Sequence, residues 1–199
     1  MTTLFLVRHG QTVWHADNRY AGVTDVPLDG AGQEQAKRMG LWAAEIGFDA
    51  LWCSPLRRAR ATAAPAAATL GLMPRIEGDL REVDFGMAEG HTLAELDPAV
   101  VAAFHADPVL GAFPGAEDPR TAAARAAGAL HRIADRHPGE RVLVVAHNTL
   151  MRLALCSMLG IPLSSYRRVF PRIRNCAPTE LRVEQGSASL LAYNLPLPG

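Results

Sequence analysis

Cysteine is scarce: residues 53, 156 and 176 are the only three in 199 positions, an odd number with no CxxC spacing. That usage speaks against a disulfide framework and a zinc site, and it suits a reducing compartment. Neither sign of charge is in excess, since Lys plus Arg and Asp plus Glu each number 20. A neutral balance argues against a nucleic-acid partner and against a polybasic hold on a membrane, while leaving room for a local basic pocket. A clean membrane-length apolar run is also missing. The longest candidate, VLVVAHNTLMRLALCSMLGIPL, is broken by His147, Asn148 and Arg152, and it reads better as strand, turn and helix. The chain starts almost at once on TLFLVRHG without a basic leader or a small-residue cleavage site, so a cytoplasmic location is expected. There are no internal repeats and no low-complexity linker, only an Ala bias in the helical parts. A single domain over 1–199 is expected.

What is present alternates between short apolar strands and longer helical stretches. Residues 3–7 form an apolar strand that stops on Arg8-His9-Gly10. After a polar loop, Asp29 reads as the N-cap of a helix reaching about Ile46, with Ala36, Met39, Ala43 and Ile46 recurring at three- and four-residue steps. Ala50–Cys53 is a short strand, and Ser54-Pro55 is read as a cap followed by Pro at the first position of a helix carrying Arg57, Arg58 and Arg60. A strand near 75–77, a capping box at Thr92 to Glu95, a long Ala-rich helix over 120–136, a β-branched strand over 141–146 and a helix from Thr149 follow. A hairpin over 179–194 closes the chain. This order predicts an α/β fold, a three-layer α/β/α sandwich with a mostly parallel central sheet. Residues 86–119 are expected to form a small helical cap insertion.

Ligands of such sheets sit at the carboxyl ends of the strands. That rule gathers Arg8-His9-Gly10, the helix start bearing Arg58, and His147-Asn148. Two arginines and two histidines at one edge make a cationic pocket, suited to an anion with several oxygens. The planar Arg fork donates paired hydrogen bonds to phosphate. A histidine held by one ring nitrogen can attack phosphorus with the other, Gly10 lets the backbone come close, and Thr12 offers a hydroxyl. A phosphoryl-accepting histidine would need this grouping.

The segments LVRHGQTVW, DVPLDGAGQEQA, CSPLRRARATA, LREVDFGMAEG and VLVVAHNTLMR, in that order and spacing, resemble the histidine phosphatase superfamily, in its phosphoglycerate-mutase-like branch. The resemblance implies that His9 is phosphorylated, that Arg8, Arg58 and a protonated His147 clamp the phosphoryl group, and that Glu82 is the proton donor. It implies a metal-independent phosphomonoester hydrolase acting on a small phosphorylated metabolite, with no metal and no organic cofactor. A homodimer is the only protein partner it suggests.

The sequence departs from the family pattern in places. His15 stands where Asn is usual, Gln11 where Glu is frequent, and Asn148 where Gly is usual. His15 and Asn148 are still expected beside Thr12 at the phosphate, with His15 adding a titration. The loop Pro114 to Asp118 resembles one near the family pocket. Two alternatives stay open: a cofactor-dependent phosphoglycerate mutase, or a non-catalytic phosphate-binding relative. No basic residue follows Glu82 before His91, which favours hydrolysis over mutase chemistry. Arg120 and Arg125 are candidates for the pocket that read better as a solvated helix face, and Tyr20, Phe85, Met87, Phe104 and Phe113 are candidates for a substrate wall that read better as core. A cysteine phosphatase would need Arg six places after Cys53, where Ala59 stands. His131 and His137 are six apart and do not share a helix face.

Overall fold

The computed structural model describes residues 1–197. Its sheet holds β1 (Thr2–Arg8), β2 (Ala50–Cys53), β3 (Arg75–Ile76), β4 (Arg141–Ala146), β5 (Pro178–Glu184) and β6 (Ser187–Ala192). Their order is β3-β2-β4-β1-β5-β6. The first four strands run parallel. β5 is antiparallel to β1, and β6 to β5. The hairpin between β5 and β6 turns on Gln185 and Gly186, both at positive φ, the geometry that matches the twist of paired strands.

Six helices accompany the sheet: α1 (Gly30–Ile46), α2 (Arg57–Leu70), α3 (Pro98–Ala106), α4 (Pro119–Arg136), α5 (Asn148–Met158) and the short α6 (Tyr166–Val169). β4 shows how they are layered. Its Val142, Val144 and Ala146 face a core with Leu130, Ile133 and Leu150 of α4 and α5, and its Leu143 and Val145 face Met39, Ala43 and Ala63 of α1 and α2. Alternate residues of a strand point to opposite faces, so a strand apolar at every position is covered on both sides. The three-layer α/β/α sandwich follows.

Small residues let the α1 and α2 layer close up. A side chain on Gly40 of α1 would come within 2.9 Å of Pro65 in α2, so the helices touch backbone to ring. Asp29 caps α1 by accepting from the Gly32 amide at 2.7 Å, as the sequence suggests. The start of α2 differs: it begins at Arg57 with Leu56 as an N-cap that makes no side-chain bond, and Pro55 lies outside it. Ser54 has other work at the site.

Between Gly86 and Pro119 lie two single 3₁₀ turns and α3. The Thr92 amide donates to Glu95 at 2.8 Å, as the capping box requires. Phe104 and Phe113 stack at 4.4 Å, and Tyr20 meets Phe113 and Phe85 edge-on. Met87 is exposed and Tyr20 half-buried, so the core reading fails for Met87 and holds only in part for Tyr20. Among the described residues, no helix is long and apolar enough to cross a membrane.

Candidate active site

β1 delivers Arg8 and His9 to the carboxyl edge of the sheet, beside the end of β4. His9 is buried, and its Nδ1 lies 2.7 Å from the Gly10 carbonyl oxygen. A carbonyl can only accept, so Nδ1 carries the proton and Nε2 keeps its lone pair. The chain turns here by close backbone contact. A side chain on Gly10 would meet the Gly32 oxygen at 2.6 Å, and the Gly10 amide donates to Thr62 Oγ1 at 2.9 Å. Thr62 in turn donates to the Arg58 carbonyl at 2.7 Å, which ties the histidine loop to α2.

Arg58 is fully buried. Its guanidinium donates to the carbonyls of Gly22 and Thr24 at 2.6 and 2.9 Å, so the irregular loop after β1 holds it from the far side. Arg8 donates to the Ile173 carbonyl at 2.9 Å, and its Nη2 lies 2.8 Å from His15 Nε2. Since guanidinium only donates, His15 Nε2 accepts, and His15 Nδ1 faces Thr12 Oγ1 at 2.8 Å.

His147 ends β4 as the N-cap of α5. Its ring centre stands 5.1 Å from that of His9. Nε2 lies 2.7 Å from Ser54 Oγ, while Nδ1 is buried without a partner. Asn148 Oδ1 is likewise buried and unpartnered. The Glu82 carboxyl oxygens accept from the amides of Leu150 (2.8 Å), Val83 (3.0 Å) and Thr149 (3.1 Å), so the side chain closes the N-terminus of α5, where unpaired amides want an acceptor. Arg125 fixes the backbone of that loop. It donates to the carbonyls of Asp79, Arg81 and Glu82 at 2.6, 2.8 and 3.1 Å, and pairs with Glu117 at 2.7 Å.

The fields follow from burial and clustered cations. His9 and His147 are both held well below the ordinary histidine value, by burial first and then by Arg58, with Arg8 adding to it. Both rings are therefore held neutral near pH 7. Burial, then Arg8, pushes His15 down to about 4, so it does not add the expected titration near neutral pH. Burial lowers Arg8 to about 10, which leaves it charged.

Arg8, His9, Thr12, His15, Glu82 and Asn148 line one cavity of about 300 Å³, with Arg58 and His147 fully buried beside it. The residues that the sequence suggests for catalysis and phosphate binding thus lie together. The same cavity is also lined by Arg19, Tyr20, Phe85, Leu93, Arg152 and Arg167. Several of these contributors were missed or misread. Arg125 is half-buried and paired with Glu117 rather than solvated, whereas Arg120 is exposed as expected. Arg152 follows His147 by five residues and is buried. An arginine inside an otherwise apolar α5 was the available signal for it, as a buried charge needs a reason. For Ser54 no sequence signal separated a helix cap from a partner of His147.

The sequence matches the model of the histidine phosphatase superfamily, branch 1, over residues 4–196. It is 31% identical over 188 residues to a Cronobacter sakazakii protein named "Probable phosphoglycerate mutase GpmB", covering 93% of this chain and 86% of that one. It is 33% identical over 161 residues to the "Uncharacterized phosphatase PhoE" of Bacillus subtilis, covering 80% and 79%. The structure is similar to that of a mycobacterial glucosyl-3-phosphoglycerate phosphatase solved with VO3, with a TM-score of 0.89, 26% identity, and coverage of 98% and 99%. With this match over nearly its whole length and a buried His9 between Arg8 and Arg58, the chain belongs to branch 1 of the histidine phosphatase superfamily.

Proposed function

We propose that this protein hydrolyses small phosphomonoesters through a phosphohistidine on His9. The observation that carries the reading is the His9 ring: buried, neutral, committed through Nδ1 to the Gly10 carbonyl at 2.7 Å, and set among arginines. Nε2 attacks phosphorus in line, the bond from phosphorus to the ester oxygen breaks, and Glu82 gives its proton to the leaving alkoxide. Glu82 then takes a proton from water, which attacks the phosphohistidine and releases phosphate and neutral His9. The transferring group spreads negative charge over its oxygens, so positioning and charge do most of the work. Arg8 and Arg58 supply that charge. His147 donates from Nδ1, the tautomer selected when Ser54 gives its hydroxyl proton to Nε2. Thr12 and Asn148 are the neutral donors at the phosphate. His15 acts differently from an asparagine there, orienting Arg8 by accepting from it.

Residues 86–119 serve as a cap, with Leu93 on the approach to the phosphoryl site. On this reading the enzyme works in the cytoplasm on a phosphorylated metabolite, with no nucleic-acid or membrane partner. The site is complete within one chain, so a homodimer would not be needed for chemistry. The similarity to the GpmB protein favours a second reading, return of the phosphoryl group to a phosphoglycerate.

The test is phosphate release from para-nitrophenyl phosphate and a panel of phosphorylated metabolites in EDTA, for the wild type and His9→Ala. Turnover that survives EDTA and falls at least ~10³-fold in the variant is expected. An unaffected variant would refute the phosphohistidine. A wild type inert on every ester but active in phosphoglycerate interconversion would establish the mutase instead.

A further inference from the structure

A second cavity, of about 560 Å³, adjoins the catalytic one. Arg8, His15 and Arg152 line both. Arg38, Arg172 and Arg174 complete its basic lining, and no Asp or Glu contributes. Five arginines without a carboxylate are a marked asymmetry in a chain whose 20 basic and 20 acidic residues balance. Among the described residues, none of the five lies within ion-pair distance of a carboxylate.

The shared wall is built rather than incidental. Arg8 donates to the Ile173 carbonyl at 2.9 Å and Arg152 to the Pro171 carbonyl at 2.8 Å. One short segment, 171–174, therefore anchors both guanidinium groups and carries Arg172 and Arg174 itself. Arg152 is only 7% exposed, and its Nε has no partner. The Nε of Arg8 is also buried and unpartnered. A buried donor left unpaired is costly, and Arg152 adds repulsion at Arg8. A polyanion would relieve both, and Arg forks match the oxygens of phosphate or carboxylate.

We propose that this cavity is a second oxyanion site, for a phosphate-like group distinct from the one transferred to His9. Two sources share that chemistry: the distal anionic group of an elongated substrate, or a free phosphate ion. In the first form the inference rests on the hydrolase reading. In the second it stands alone.

Equilibrium dialysis of the full chain with radiolabelled inorganic phosphate at low salt tests it, on wild type and on the double variant Arg172→Gln/Arg174→Gln. Two phosphates per wild-type chain and one per variant chain are expected, with kcat/KM for para-nitrophenyl phosphate held within about threefold. One phosphate per wild-type chain, displaced by vanadate, would overturn the second site and leave the hydrolase reading intact. Two in both proteins would also overturn it. A wild type that binds none would overturn both. Straight-chain diol bisphosphates of graded length separate the sources. If the substrate supplies the group, one length should show a KM about tenfold below its monophosphate, an advantage lost in the double variant. If free phosphate is the ligand, no length should be preferred while the stoichiometry still falls from two to one.

Discussion

Replacing Arg125 by Met tests how the Glu82 loop is held. The side chain is 9% exposed and its partner Glu117 12%, so the pair is largely withdrawn from water. Arg125 also serves three carbonyls, of Asp79, Arg81 and Glu82. Its loss leaves Glu117 with the Asp84 amide at 3.5 Å and Arg81 at 3.9 Å. Breaking a fully buried pair from one side costs about 3–5 kcal/mol. Both residues here are half-buried, and solvent screening brings the expected loss to about 2 kcal/mol, or roughly 4–8 °C in Tm for a chain of this size. Glu82 caps α5 from this loop, so kcat should fall about 10- to 100-fold with KM moved less than threefold, because a displaced proton donor affects the transition state more than substrate capture. Calorimetry and steady-state kinetics on the same preparation read both. The companion Arg125→Met/Glu117→Met should regain part of the stability, since no stranded charge remains, and none of the activity. A single variant that loses less than about 1 kcal/mol would show that the carbonyls and Glu117 are satisfied without Arg125, and the positioning argument would fall.

The remaining expectations concern His147 and pH. Ser54→Ala removes the 2.7 Å partner of His147 Nε2 and should cost about 1–2 kcal/mol of stability, with a drop in kcat of about tenfold or more. Ser54→Thr should restore most of the rate, and an alanine variant with unchanged kcat would show that the ring orients without the hydroxyl. His9 and His147 stay neutral in the native state, below the ordinary value of 6.5, so below that pH the unfolded chain binds protons that the native chain does not. Stability should therefore fall as pH drops from about 6.5, by up to ~1.4 kcal/mol per pH unit for each ring. Urea titrations from pH 7.5 to 5 on wild type and His9→Gln measure it: the variant should show the shallower slope, and equal slopes would refute neutrality of buried His9.

Local sequence carried the fold because its signals were local. The Asp29 cap, the Thr92 capping box, the β-branched β4 and the glycine turn of the hairpin each follow from a few neighbouring residues, and parallel strands with helical crossovers leave few ways to assemble them. The site was legible where a reactive residue ended a strand, as with His9 and His147. It was illegible where the partner came from elsewhere in the chain. Ser54 and His147 are 93 positions apart and the Arg125 contacts with the Glu82 loop span more than 40, and no spacing rule reaches that far. Arg125 was misread because helix periodicity marks a polar face without saying whether another segment covers it. His15 shows the remaining gap. Its type was visible, but its pKa depends first on burial and then on a side chain seven residues away that only the fold brings within 2.8 Å.

The same packing of arginines around histidines explains how one pocket holds opposite requirements. In the proposed mechanism a nucleophilic His9 must be unprotonated, whereas the cations that clamp the phosphoryl group must stay charged. Burial disfavours charge on both kinds of group, so burial alone would push them the same way. The outcome differs because the two start far apart. Arg8, lowered from the ordinary arginine value to about 10, is still a full cation at neutral pH, while His9, lowered from 6.5, has lost its proton well before that point. Each arginine also holds the histidines neutral by its own charge, and the arriving phosphate dianion cancels that influence. Phosphate binding should therefore pull the His147 ring toward its protonated form at the moment the transferring oxygens need a donor. A lysine in place of Arg8 would start about two pKa units lower and offer no fork to Ile173 and His15, and so would not keep the same separation between a neutral nucleophile and a charged clamp.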